Sequence, residues 1–381
     1  MSCTKLVSKA VVLLIGLGAG QLLQAQVYSV LYSFSGGLDG GQPLASLVRD
    51  SAGNLYGTTS TGGGTGLGNV FKLDTSGNRT LVHGFSGADG SNPQAPVIRD
   101  TAGNLYGTTI SGGTAGLGVV FKINKSNQET VLHSFTGGVD GAHPVAGLVR
   151  DPAGNLYGTT LNGGTSNQGT VFKVTKTGVE TVLYAFSGGS DGGQPYGALV
   201  RDSAGNLYGT TSSGGAASLG TVFKIDPSNT ESVIHSFAGG SSDGASPQAG
   251  LIRDSAGNLY GTTSQGGGGE VGGTVFKIGP TGTETILYTF TGGTDGGEPL
   301  ASLVRDKKGN LYGTTSAITT TFGTIFEIAK TGTFSTLYSF SGGSDGSQPY
   351  AGMILDSTGV LYGTTRFGGT GNSGVVFKLV P

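Results

Sequence analysis

The stretch DPAGNLYGTT, residues 151–160, reads as a turn feeding a strand, and the rest of the chain repeats it. Asp151 can close an Asx turn, Pro152 fixes φ and Gly154 accepts φ > 0, so the run that follows leaves a tight corner. Its tyrosine returns as Tyr56, Tyr106, Tyr157, Tyr208, Tyr260, Tyr312 and Tyr362, at intervals of 50, 51, 51, 52, 52 and 50 residues. Three other markers keep the count of seven: a proline (Pro43 to Pro349), a phenylalanine in VFK-like runs (Phe71 to Phe377), and one closing runs such as VLYSF (Phe34 to Phe340). Self-similarity at this period marks a repeat architecture.

Within the third unit, four short runs have strand character: A (residues 145–150), B (155–160), C (Thr170–Val174) and D (181–186). The A–B and C–D connections are tight, B–C is longer and glycine-rich, and D–A is longest, as SGGSDGGQP over residues 187–195. Four antiparallel strands with a long final connection form a β-propeller blade. The ends of the array decide its closure. Residues 28–34 (YSVLYSF) make a D strand with no A, B or C before it, and residues 375–379 (VVFKL) make a C strand with no D after it. The first strand is therefore predicted to complete the last blade, which hides two edges that would otherwise recruit other chains. Small residues after each proline, such as Ala45-Ser46, Ala146-Gly147 and Gly197-Ala198, place A innermost, where seven strands crowd the axis. The expected fold is an all-β seven-bladed propeller with four antiparallel strands per blade. Residues 26–381 form one domain of repeats about 51 residues long, with the D–A and B–C loops on a common face.

Composition agrees. Of 381 residues 76 are glycine, only 12% are charged, and 14 Tyr accompany 17 Phe. Prolines number 12 and no glycine-every-third register exists, which excludes collagen, and the aromatic content excludes simple disorder. A formal charge of −2 and a pI near 6.1 give no support to nucleic-acid binding. Lys5 and Lys9 precede a short apolar run, AVVLLIGLGAG over residues 10–20, and Ala25 offers a cleavage point, so residues 1–25 read as a secretory signal peptide. A secreted, periplasmic or cell-surface location follows, with no membrane span in the mature chain. Cys3 leaves with the peptide, so neither a disulfide nor a cysteine-ligated metal is expected in the remainder.

Candidate functional residues are those that depart from the repeat. The residue before the repeated proline varies as Gln42, Asn92, His143, Gln194, Ser246, Glu298 and Gln348, and the residue after it includes Tyr196 and Tyr350. These positions are expected at the mouth of the axis, where a polar rim and two tyrosines could bind a sugar or a peptide. One aspartate per D–A loop (Asp39, Asp89, Asp140, Asp191, Asp243, Asp295 and Asp345) precedes a glycine or sits beside one, which is turn chemistry. The same ring is the candidate Ca²⁺ site, the one cofactor considered, although one carboxylate per loop falls short of a dedicated cage. His83, His133 and His235 lie on separate blades, so a metal shared among them is not expected. No HExxH or P-loop motif is present. Glu298 and Glu270, with His143, are the candidate acids and bases for an enzymatic alternative.

The recurring DSAGNLYGTT, GTVFKI and LYSFSGG segments resemble the GloVer tandem-repeat family of exported bacterial proteins across nearly the whole mature chain. That resemblance implies a surface or secreted role and carries over no catalytic residue. The sequence stops at Pro381 without an apolar tail, so anchoring at that end is not expected. The DxxGNLY phrase and the GG after strand B are also similar to kelch and NHL-type propellers, though the kelch pattern is incomplete without tryptophan. Two readings follow. The first is a secreted, monomeric binding or scaffold propeller that recognises a glycan or protein through its long-loop face. The alternative is an extracellular carbohydrate-active or lactone-cleaving enzyme using carboxylates on that face.

Overall fold

The computed structural model describes residues 26–268, 272–316 and 321–381. The expected signal peptide and Glu270 lie outside the described residues.

Seven four-stranded antiparallel sheets follow one another in the order A-B-C-D, and the seventh takes its D strand from the beginning of the chain. There Val27–Ser33 pairs with Val375–Val380, from Val27 opposite Val380 to Ser33 opposite Val375. In the third blade the strands are Val149–Arg150, Leu156–Thr160, Thr170–Val174 and Glu180–Ala185. Strand C matches the sequence reading, and B and D agree to within a residue. Strand A is much shorter than expected. Proline supplies no donor to a ladder, and the carbonyls of the small residues beyond it bond sideways to the neighbouring blade. Thr108 Oγ1 donates to Ala146 O at 3.1 Å, Thr210 Oγ1 to Ala249 O at 2.9 Å, and Thr364 Oγ1 closes the circle on Ala45 O at 3.1 Å.

Phenylalanine pairs form the core between blades. The ring that ends each D strand meets the C-strand ring of the next blade edge-on, as in Phe135 with Phe172 at 5.1 Å and Phe186 with Phe223 at 5.0 Å. Across the closure, Phe34 meets Phe71 at 5.2 Å with the same geometry. Both closing rings are fully buried. Edge-to-face aromatic pairs contribute roughly 0.5–1.5 kcal/mol beyond the area they bury. Glycine in strand B makes room for these rings: a Cβ on Gly158 would lie 2.6 Å from Phe172 Cζ and 2.9 Å from Leu148 Cδ2.

The framework also consumes the conspicuous polar side chains. Asp151 accepts from Asn155 N–H and Nδ2, each at 2.8 Å, and from the Tyr157 hydroxyl at 3.0 Å, so the LYGTT tyrosine is tied to the A–B turn. The next blade's Arg201 then lies 5.9 Å from the Tyr157 ring centroid. This Arg-over-Tyr contact recurs as Arg49 on Tyr362, 5.7 Å across the closure; the residue before the turn aspartate is Arg in six repeats and Leu355 in the last. Burial opposes ionisation of Asp50, Asp100, Asp151 and Asp202, yet hydrogen bonds from the turn outweigh it and hold all four below the ordinary carboxylate range.

Candidate functional site

The long loops of each blade are stapled together, since the D–A and B–C loops bridge at Gly41 and Thr61, Ser91 and Ser111, Ala142 and Asn162, and equivalent positions. This puts them on a common face, as expected. The residues before the prolines sit in this lattice as backbone clips. Gln42, Asn92, His143, Gln194, Ser246, Glu298 and Gln348 all have φ between 49° and 56°, a left-handed conformation that costs non-glycine residues of order 1 kcal/mol or more. Two hydrogen bonds compensate at each. Gln194 N–H donates to Gln168 O of the preceding blade at 2.8 Å, while its carbonyl accepts from Ser212 N–H at 3.1 Å. His143 repeats the pair with Leu117 O and Leu161 N–H, and its Nδ1 lies 2.9 Å from Ile110 O. Glu298 joins Gly272 O and Ser316 N–H in the same way, with the Ser316 hydroxyl 3.4 Å from Oε2.

The residues after the prolines line the axial mouth. A cavity of about 330 Å³ is walled by Leu44, Gln94, Val145, Tyr196, Gln248, Leu300 and Tyr350, one from each blade, together with Arg366. Of the nine predicted ligand-binding residues, Tyr196 and Tyr350 are in this wall, and the other seven hold the loops behind it. Tyr196 is 37% exposed, so its ring presents a face to solvent.

Arg366 was not among the expected site residues. It follows LYGTT in the seventh repeat, where the other repeats have Ser60, Ile110, Leu161, Ser212, Ser264 and Ser316. Listing that position across the repeats would have exposed it. Its backbone N–H donates to Gln348 O at 3.0 Å, and its guanidinium lies 5.4 Å from the Tyr350 centroid and 4.8 Å from that of Phe367. Nε is buried without a hydrogen-bond partner. The wall therefore combines apolar faces, two neutral amides, two phenols and one cation.

The aspartate ring is held elsewhere in the blades. Asp39 accepts from the Tyr32 hydroxyl at 3.1 Å and Ser35 N–H at 2.8 Å, and Asp191 does the same with Tyr184 and Ser187 at 3.0 and 2.7 Å. Asp295 and Asp345 accept from Tyr288 and Tyr338 at 3.1 and 3.0 Å. Asp89, Asp140 and Asp243 meet His83, His133 and His235 at 2.9, 3.3 and 3.3 Å. Each aspartate thus ties the end of its own D strand to the loop that follows. Burial opposes ionisation of Asp39 and Asp191, but the serine donors prevail and hold both carboxyls low.

Seven closed blades around a ligand-sized mouth define a seven-bladed β-propeller with an axial pocket. The Gloeobacter/Verrucomicrobia repeat model matches residues 21–223 and 176–377, and the chain belongs to that family. No curated protein matches the sequence. Among solved structures it is similar to the extracellular domain of a protein described as a one-component system from B. thetaiotaomicron, with 12% identity and a TM-score of 0.59. That match covers 92% of this chain and 39% of the other, so this chain spans about two fifths of that length. It is also similar to a protein from Bacteroides uniformis described as a 6-phosphogluconolactonase, with 16% identity, a TM-score of 0.55, and coverage of 82% and 88%. At such identities the likeness shows the fold.

Proposed function

We propose that this protein is an exported, monomeric binding propeller that recognises a glycan or a protein segment through its axial mouth, without chemistry of its own. The observation that carries the reading is the pocket wall, built from one variable side chain per blade while the framework around it repeats. Its volume of about 330 Å³ falls within the range of small-ligand pockets. Tyr196 and Tyr350 offer ring faces to a sugar or a peptide side chain, and Gln94, Gln248 and Arg366 offer donors. The extracellular setting of the sensor domain is consistent with export, and the lactonase likeness makes sugar lactones sensible members of the ligand panel.

Glycan-array screening of the mature protein, followed by calorimetry on the hits, tests the proposal. The expected result is binding without product, weakened at least tenfold by Tyr350→Ala and by Arg366→Gln. Turnover of a bound sugar or lactone that disappears in Glu298→Gln would replace this reading with the enzymatic one.

A further inference from the structure

Consecutive blades also meet along their outer strands, at the residue four before the His or Tyr that bonds the loop aspartate. At three interfaces this niche is filled without a second acid. Phe334 stacks on Tyr288 at 3.9 Å, Tyr28 stacks on Tyr338 at 4.0 Å, and Arg79 Nη2 donates to Asn69 Oδ1 at 3.1 Å. At the other four the residue is Glu129, Glu180, Glu231 or Glu284, and its carboxyl feels the charge of Asp89, Asp140, Asp191 or Asp243 in the preceding blade. A carboxylate pair at a half-buried interface is costly unless something cationic joins it.

Three of these interfaces add an imidazole, and at two of them the three donors converge. One donor atom each from His83, Asp89 and Glu129 lies within 4.8 Å of the others, and the same holds for His235, Asp243 and Glu284. His83 Nε2 is 2.9 Å from Asp89 Oδ2, and His235 Nε2 is 3.3 Å from Asp243 Oδ1. Independently of that clustering, Glu129 and Glu284, like Glu180 and Glu231, each keep Oε1 buried with no hydrogen-bond partner, and only where an imidazole joins them is the donor set of a metal site complete. An oxygen withdrawn from water and bonded to nothing is an unfilled valence in the site.

We propose that the interfaces between the first and second blades and between the fourth and fifth each bind one divalent cation of the zinc class, held by His83, Asp89 and Glu129 and by His235, Asp243 and Glu284. One imidazole and two carboxylates match the nitrogen and oxygen donors that Zn²⁺ takes at about 2.0–2.2 Å, leaving a fourth position for water. Tetrahedral bonds of that length need donors about 3.4 Å apart, so donors now within 4.8 Å of one another would close by no more than about 1.4 Å. Ca²⁺ prefers six to eight oxygens and gains little from an imidazole. The cation would neutralise the carboxylate pair and staple two blades together. The interface of His133, Asp140 and Glu180 carries the same residue types, with His133 and Asp140 3.3 Å apart. That of Tyr184, Asp191 and Glu231 lacks the imidazole.

Calorimetric titration of EDTA-stripped protein with ZnCl₂ is expected to show two equivalents bound and a raised thermal midpoint. Glu129→Gln and Glu284→Gln should each remove one equivalent, whereas Glu231→Gln should remove none. Thermal midpoints in EDTA report the folding of each variant, and Gln preserves the shape of Glu. A Zn²⁺ stoichiometry unchanged in both Glu129→Gln and Glu284→Gln, or a midpoint indifferent to Zn²⁺, overturns the assignment.

Discussion

Replacing Phe34 by alanine tests ring closure against an internal standard. Phe34 lies on the first strand of the chain and Phe186 on an interior blade; both are fully buried and both meet the next blade's phenylalanine edge-on, at 5.2 and 5.0 Å. Truncating a buried phenylalanine costs about 3–5 kcal/mol. With an unfolding entropy of about 2.1 cal/mol/K per residue, a cooperative unit of 356 residues, 26–381, has an entropy of about 0.75 kcal/mol/K. The midpoint should then fall by about 4–7 °C. If the first strand is a full member of the ring, Phe34→Ala and Phe186→Ala should lower the calorimetric midpoint equally. Deletion of residues 27–34 should cost more, because it also removes a six-pair ladder and leaves the edge of Val375–Val380 open. A midpoint unmoved by Phe34→Ala, alongside a clear fall in Phe186→Ala, would refute cooperative closure.

Other consequences can be read from the same framework. Gly158→Ala places a methyl 2.6 Å from Phe172 Cζ and should destabilise by about 1–3 kcal/mol, measured by denaturant unfolding; a neutral result would show that the ring has room to move. Stability in chelator should peak near pH 4–5. Burial, followed by repulsion from Asp140 and Asp191, pushes Glu180 and Glu231 up to about 7. Their native state therefore holds protons more tightly than the unfolded chain, and stability is lost as pH rises from about 4.5 to 7. The turn aspartates, held low despite their burial, act with the opposite sign and remove stability as pH falls below about 4. Glu231→Gln should flatten the neutral limb of midpoint against pH, and a slope unchanged by it would remove Glu231 as a cause. Thr364→Val leaves the buried Ala45 carbonyl without its donor and should cost about 1–3 kcal/mol, matched by Thr210→Val if the closure resembles an interior interface.

The blade pattern was legible because the markers that define it are local. A turn, a five-residue strand and a hairpin each fit within twenty residues, and seven copies average out the exceptions. Strand A is shorter than expected because strand character and small size describe an extended segment without showing which neighbour takes its hydrogen bonds. Those bonds go to Thr108, Thr210 and Thr364 of adjacent blades. The pocket was half legible. Variation beside the proline marked the right region, yet which of the two adjacent positions faces the axis depends on the left-handed turn at Gln42, Gln194 and their equivalents, and no residue preference announces that turn. Glu129 and Glu284 were missed for another reason. Each lies more than 40 residues from its histidine along the chain, and only the blade-to-blade contact brings them together.

The division between framework and variation also supports the proposed reading, in which specificity belongs at the axis and not on the more numerous repeated polar groups. A tyrosine hydroxyl already bonded to Asp151, an arginine already over Tyr157 and a threonine already on Ala146 O have little left to offer a ligand, because binding must first replace a bond that exists. Changing any of them alters stability before recognition. The side chains after the prolines hold no blade to its neighbour in this way: Gln94 bonds Asn92 Oδ1 two residues away at 3.3 Å, and Tyr350 meets Arg366 inside the wall itself. Leu44, Gln94, Val145, Tyr196, Gln248, Leu300 and Tyr350 differ in size, polarity and aromaticity, while the residue two before each keeps one left-handed geometry. Arg366 supplies the single charge in that wall, from a position where other repeats use Ser, Ile or Leu. A fold that fixes the pocket's shape sevenfold and leaves its lining free can change ligands without endangering its closure, since the residues that seal the ring and those that face the axis belong to separate sets.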